Sequence, residues 1–197
     1  VVRKATDAYG KTTSPENLNA IADTADIVVA LDRLQSMAPA VESVSLVVAW
    51  FGDDLRCGQC TVRPKVEQKT LDGVGMPWRS GGITRATAEE VPKVAGRSIY
   101  GGTPTDLAVI EAIVAMKAAG KDVTFYPFIL MDQPEGNTLV NPWTGQVGQP
   151  KLPWRGRITL SEAPGRPGTP DRTAAAEAEV AAFFGTAQPS DFAVSGG

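Results

Sequence analysis

Four carboxylates stand where two apolar runs end. The first run closes in AWFGDD, which presents Asp53 and Asp54, and the second in LMDQPEGN, which presents Asp132 and Glu135. Two carboxyl groups held about 5 Å or 6.5–9.5 Å apart perform glycoside hydrolysis, one protonating the leaving oxygen and the other serving as nucleophile or base. The chain contains no histidine, so the commonest metal ligand and the side chain best matched to acid–base work near pH 7 are both missing. Paired acids are therefore the main acid–base chemistry open to it. Asp132 directly follows an apolar run and is the leading candidate, although Asp and Gly also serve simply to start turns.

Trp50 sits at the end of the first run, and Trp78, Trp143 and Trp154 fall in Gly/Pro-rich stretches. Aromatic faces beside acids suit stacking on sugar rings, so Trp50, Trp143 and Trp154 are the candidate glycan contacts, with plugging of long crossings as the plain alternative. The only cysteines, Cys57 and Cys60, form CGQC. That is too few for a zinc site, and the TVRPK that follows argues against the helix a thioredoxin-like motif requires. An incidental loop pair or a disulfide between Cys57 and Cys60 is the main reading, and a redox pair the lesser one. Arg155, Arg157 and Arg166 could clamp an anion but make too small a group for a nucleic-acid stripe. No glycine-rich segment has the spacing of a dinucleotide fingerprint or a P-loop, and no cofactor or metal is expected.

The elements that would position these residues read as α/β. SPENLNAIADTADIVVALDRLQSMAP predicts one helix or two short ones, opened by Ser14, Pro15 and Glu16 and stopped by Pro39. Ser43 to Phe51 is β-branched and apolar and predicts a buried strand. In GGTPTDLAVIEAIVAMKAAGKDV, Thr103 is the expected N-cap, with Pro104 at the first helical position and Asp106 reaching back; Leu107, Ile110, Ile113 and Val114 form the expected buried stripe, and Gly120 the stop. VTFYPFILMD follows as a second strand, whose Pro127 points to a sheet edge or a bulge. Strand, helix and strand make a β-α-β unit and so a parallel sheet. Residues 53–102 read as an irregular insertion of short hairpin pieces such as Thr61 to Val66, with a helix near Thr87 to Glu90. A strand is expected at Arg157 to Ser161 and a helix from about Asp171 to Phe184, with Ala176, Val180 and Phe183 on one face.

The chain has 197 residues, which suits one domain, and 19 basic against 22 acidic residues give a net charge of −3. That balance supplies no positive field for phosphate backbones, and nucleic acid is not an expected partner. No run approaches about 18 uncharged apolar residues, so no transmembrane segment is expected. The chain opens VVRKATDAYGK, without Met or the pattern of a secretory signal, and reads as a segment of something longer.

Five stretches, SLVVAWFGDDLRCGQC, YGGTPTDLAVIEAI, VTFYPFILMDQPEGN, PWRGRITLSEAPGRPG and DRTAAAEAEVAAFFG, occur in an order that resembles one family. This family is the TIM-barrel-like, glycoside-hydrolase-like domain of the large baseplate or tail-tip (host specificity) protein of gene transfer agents and related siphophage tails. The resemblance runs from the Asp26 region to Phe192. It implies that residues 1–197 are a segment of one TIM-barrel-like domain, its first half, built of parallel βα units and partial or embellished. It further implies a virion component at the tail tip of the particle, assembled in the producing cell's cytoplasm. Other tail or baseplate proteins and host-envelope polysaccharide would be its partners. Three functions follow as expectations: a structural, host-contacting and glycan-binding domain, a glycoside hydrolase of peptidoglycan or surface polysaccharide, or a non-catalytic scaffold packing against tail proteins. Asp53, Asp54 and Asp132 fall within matching motifs. The Gly-Ser-Glu-Leu type motif of the family's second half is absent, and Cys57 adds a second cysteine where one is expected.

Overall fold

Two strands of ten residues, both rich in β-branched and aromatic side chains, dominate a computed structural model that describes residues 4–6, 12–15, 17–19, 24–153 and 157–191. The order is β1 (Lys4–Thr6), β2 (Thr12–Pro15), α1 (Asp26–Met37), β3 (Ser43–Gly52), β4 (Val62–Arg63), β5 (Lys65–Val66), β6 (Gly73–Val74), β7 (Arg79–Ser80), β8 (Ile83–Thr84), β9 (Glu89–Glu90), β10 (Lys93–Val94), β11 (Arg97–Ser98), α2 (Asp106–Ala118), β12 (Asp122–Met131) and α3 (Ala174–Phe184). The longest sheet has the order β12-β3-β4, and four smaller ones pair the short strands: β2-β1-β6, β10-β11, β5-β9 and β7-β8.

The amide of Asp122 donates to the Glu42 carbonyl and the amide of Asp132 to that of Gly52, so β3 and β12 run in the same direction with a constant offset. In such a ladder alternate residues face the partner. Even-numbered residues of β12 face β3, and Pro127 falls on the opposite side, where its missing N–H costs no ladder bond. The expected edge position is what the sheet order shows.

Beyond this long parallel pair, parallel pairing among the described residues is confined to the two-residue strands β5 and β9 and to one bridge, Arg56 to Thr159, and the expected architecture stops there. Among the described residues no sheet closes into a barrel, and the remaining strands are two to four residues long and mostly antiparallel, so a TIM-like succession of parallel βα units is not the fold. The physical reason lies between β3 and α2. Residues 53–102, read as an irregular insertion, are occupied by Gly- and Pro-punctuated two-residue strands, of which β5 and β9, β7 and β8, and β10 and β11 pair within the segment.

The chain divides into two units, one of residues 1–50 and 64–128, the other of 51–63 and 129–197. The first has a core of Val66, Trp78 and Ala88, with Ile83 packed against it. The Trp78 ring N–H donates to the Thr103 carbonyl at 2.7 Å, and the Arg85 guanidinium lies 5.9 Å from the ring centroid. Arg85 is held there by Asp72 at 3.1 Å and Glu67 at 3.3 Å. The second unit buries Phe51, Leu55, Leu130, Met131, Leu160 and Ala163.

Several local expectations need correction. Ser14 and Pro15 belong to β2, and the first helix begins only at Asp26, whose carboxylate accepts from the backbone and side-chain amides of Asn19. The N-cap of α2 is Thr105, not Thr103; both hydroxyls donate to carbonyls elsewhere, Thr103 to Ala49 and Thr105 to Arg79. Asp106 accepts from Ser80 Oγ and the Gly81 amide, so its carboxylate ties the helix start to the β7-β8 hairpin. The expected buried stripe of α2 is largely solvent-facing at Leu107, Ile110 and Val114, and Met116 is the buried residue. The segment near Thr87 to Glu90 is a turn followed by β9, and Arg157 to Ser161 contributes one bridge, Arg56 to Thr159, in place of a strand. Gly120 does end α2, with φ of 70°.

Trp50 is a plug. Its six-membered ring reaches within 2.5 Å of where a Cβ on Gly81 would lie, and Gly81 has φ of 54°. Gly81→Ala therefore combines a steric clash with left-handed backbone and is expected to cost about 2 kcal/mol. Thermal unfolding of the full chain measures it, and the double variant Gly81→Ala/Trp50→Phe should recover part of the loss.

Candidate functional site

The strand ends that were expected to pair their acids hold each one in loop structure. β3 ends at Gly52 because the chain must turn sharply, and a Cβ at that position would meet Met131 Sδ, Cys60 Sγ and Ile129 at 3.0–3.3 Å. Asp53 accepts the Thr61 amide at 2.7 Å and lies 3.5 Å from the Arg63 guanidinium, so it closes the return to β4. Asp54 is buried and faces elsewhere. Arg56 donates to it through Nε at 3.0 Å, Nη2 at 2.7 Å and its backbone amide at 2.8 Å. Gln149 adds a fourth donor at 2.7 Å. Burial pushes the Asp54 carboxyl up, but the hydrogen bonds from Arg56 and Gln149 outweigh it and hold the group below its ordinary 3.8. A general acid needs the opposite shift.

Gln149 is the hub of this arrangement. Its Nε2 also donates to the Val140 carbonyl, and its Oε1 accepts from the Leu55 amide and from Gln133 Nε2. Asn137 braces it, accepting the Gln149 amide and donating to the Gln149 carbonyl. Sequence reasoning missed Gln133, Asn137 and Gln149 because an amide does not titrate. The only trace of them was the Gly/Pro crossing that carries them.

Asp132 is buried at the end of β12, where its amide completes the ladder to Gly52. Glu135 is four-fifths exposed and pairs with Lys151 at 3.1 Å. Trp143 is two-fifths exposed on its loop; its ring N–H donates to the Arg157 carbonyl at 3.0 Å and the Arg157 guanidinium lies 5.9 Å from the ring centroid. Arg166 donates to the Trp143 carbonyl and pairs with Glu162 at 2.6 Å. Trp50 belongs to the first unit and the other candidates to the second. Trp154 and Arg155 lie outside the described residues.

A second cluster was not foreseen. Glu179 of α3 accepts from Ser161 through both its amide and its hydroxyl, each at 2.7 Å, and its Oε2 lies 4.0 Å from Cys57 Sγ. In the sequence it is one more glutamate in an Ala/Glu helix. Gly58 lets α3 approach, since a Cβ there would press on Glu179 at 3.2 Å. Around this contact lie two concavities. One of about 240 Å³ is lined by Arg56, Gln59, Ser161 and Glu179 together with Ala178 and Ala182, and an apolar groove of about 410 Å³ includes Ile129, Ile158, Leu160, Val180, Phe183 and Phe184. Cys57 and Cys60 are free cysteines, the first buried and the second half-buried. Burial pushes both thiols above their ordinary 9.0; the Glu179 charge adds to this at Cys57, and backbone amides of Asp54 and Asp53 partly offset it at Cys60.

Among the described residues no helix is long and apolar enough to cross a membrane, and no group of three or more Cys, Asp or Glu gathers in a way that could hold a metal ion. Compared with known proteins, the chain matches no protein-family model and no curated protein.

Proposed function

We propose that the chain is part of a structural, host-contacting domain of a phage-like tail tip, and that it binds envelope glycan without cleaving it. The observation that carries the non-catalytic part is the state of Asp54, whose carboxylate is committed to four donors and held ionised. Asp53 closes a turn and Glu135 is a solvent-exposed partner of Lys151. The tail-tip assignment rests on the ordered sequence stretches that resemble that family. For the glycan, the support is Trp143, a partly exposed ring fixed at its N–H and backed by Arg157, which suits stacking against a sugar face.

The test is co-sedimentation of the full chain with purified peptidoglycan sacculi and with envelope polysaccharide, with reducing ends measured in the same tubes. Binding without release of reducing ends is the expected result, and Trp143→Ala should weaken it by about tenfold, or roughly 1.4 kcal/mol. Release of reducing ends that Asp132→Asn abolishes would replace this reading with a glycoside hydrolase. The solvent-facing Val180 and Phe184 on the apolar groove favour a second reading, a scaffold that packs against other tail proteins. Native mass measurements would then show complexes with those proteins and no retention on glycan.

A further inference from the structure

We infer that the outward face of α2 pairs with the same face of a second copy of this chain, the two helices running antiparallel about a two-fold axis. Leu107, Ile110 and Val114 are 45%, 55% and 61% exposed, and the exposed Lys117 continues their line into the last turn. These four positions form one stripe, because side chains three and four apart stack on the same face of a helix. Their steps of three, four and three are the spacing of a coiled-coil seam. Large apolar side chains left side by side in water mark an interaction surface.

What selects a second copy is the symmetry of the stripe, whose spacing reads the same from either end. In an antiparallel pair Ile110 of each copy meets Val114 of the other, and Leu107 meets the methylene stem of Lys117. The charges agree with that register. Asp106 opens the helix, is exposed, and leans to the same side of the stripe as Lys117 at the far end. Equal flanks face each other across the two-fold axis, so each Lys117 ammonium comes to the Asp106 carboxylate of the other copy. A parallel pair would set acid beside acid and base beside base. Ser80 Oγ and the Gly81 amide, at 3.2 and 3.0 Å, hold the Asp106 carboxylate in place at the helix start. Glu111, the other acid of α2, stands off the stripe and is engaged within its own chain. The contact is small. A helix of 13 residues is about 20 Å long and about 10 Å wide, so each copy offers on the order of 200 Å², against about 800 Å² per partner in a stable complex. The pair therefore forms weakly, with a Kd on the order of 0.1–1 mM. Because both copies use the same face, association stops at two.

Two measurements on the full chain test the pairing: sedimentation velocity up to about 1 mM, and zero-length carbodiimide cross-linking read by peptide mass. Within one chain Asp106 and Lys117 stand about 16 Å apart along the helix, so an amide between their side chains joins two copies. The expected result is a concentration-dependent dimer that yields the Asp106–Lys117 cross-link. Ile110→Asp should weaken the dimer by at least about tenfold and leave the thermal unfolding of the dilute chain unchanged, since that side chain is in water. Lys117→Glu sets like charges against Asp106 and should weaken it by about tenfold. A chain that stays monomeric at the highest concentration, a dimer whose cross-links avoid this pair, or one indifferent to Ile110→Asp would each overturn the pairing.

Discussion

Replacing Asp54 with alanine is expected to lower the stability of the second unit by about 2–3 kcal/mol, the lower part of the range for breaking a buried pair because Arg56 is partly solvated. The substitution leaves Arg56 without its carboxylate and takes one acceptor from Gln149 Nε2, which keeps the Val140 carbonyl. Asp54→Asn preserves part of the hydrogen bonding and should cost about half as much. Urea unfolding of the full chain, followed by a probe confined to residues 129–191, measures both.

The same residue sets an acid limit. Its folded pKa lies below the ordinary 3.8, so its contribution is fully present above that value. As pH falls below 3.8 the unfolded carboxyl takes up a proton while the folded one still holds its charge, and stability is lost until the folded group protonates too. Asp54→Asn should therefore flatten the acid limb of the stability profile. A limb as steep as that of the wild type would show that other carboxylates govern it.

In the first unit the largest loss is expected from Trp78→Ala, about 3–5 kcal/mol, because the ring fills the space among Val66, Ala88 and Ile83. Trp78→Phe keeps most of that volume but leaves the Thr103 carbonyl without its indole donor and weakens the face that Arg85 covers, at about 1–2 kcal/mol. Differential scanning calorimetry separates the two variants. A loss for phenylalanine as large as that for alanine would mean that the hydrogen bond outweighs the packing.

Sequence periodicity was a sound guide to the bounds of β3 and β12, to the edge proline and to where α2 and α3 end, because each is a continuous run with its own stop signal; it was no guide to burial, since the first half of β3 is largely solvent-facing and Val47 is exposed. Thr173 shows how local that legibility is: its hydroxyl accepts the Ala175 amide and starts α3 about where composition places it. The start of α2 was misread because Thr103, Thr105 and Asp106 spend their oxygens on distant partners. Such partners cannot be inferred from spacing. The first helix was drawn too long for a related reason, since Ser14 and Pro15 suit a helix start and a strand alike. At the strand ends the acids were found and their duty was not. Asp54 as a catalyst and Asp54 as a ligand of Arg56 and Gln149 have the same sequence, and Gln149 lies 95 residues away.

Pro127 has a bearing on how this protein behaves in a crowd. The outer border of β12 is a long row of backbone groups that neighbouring molecules could zip onto, and the ring places a missing tooth near its middle. An incoming strand would forfeit a rung there and meet the pyrrolidine instead. Molecules held side by side at high local density are thereby discouraged from fusing into a common fibre. A lasting association along this border must be chosen by side chains and is open to tuning one residue at a time.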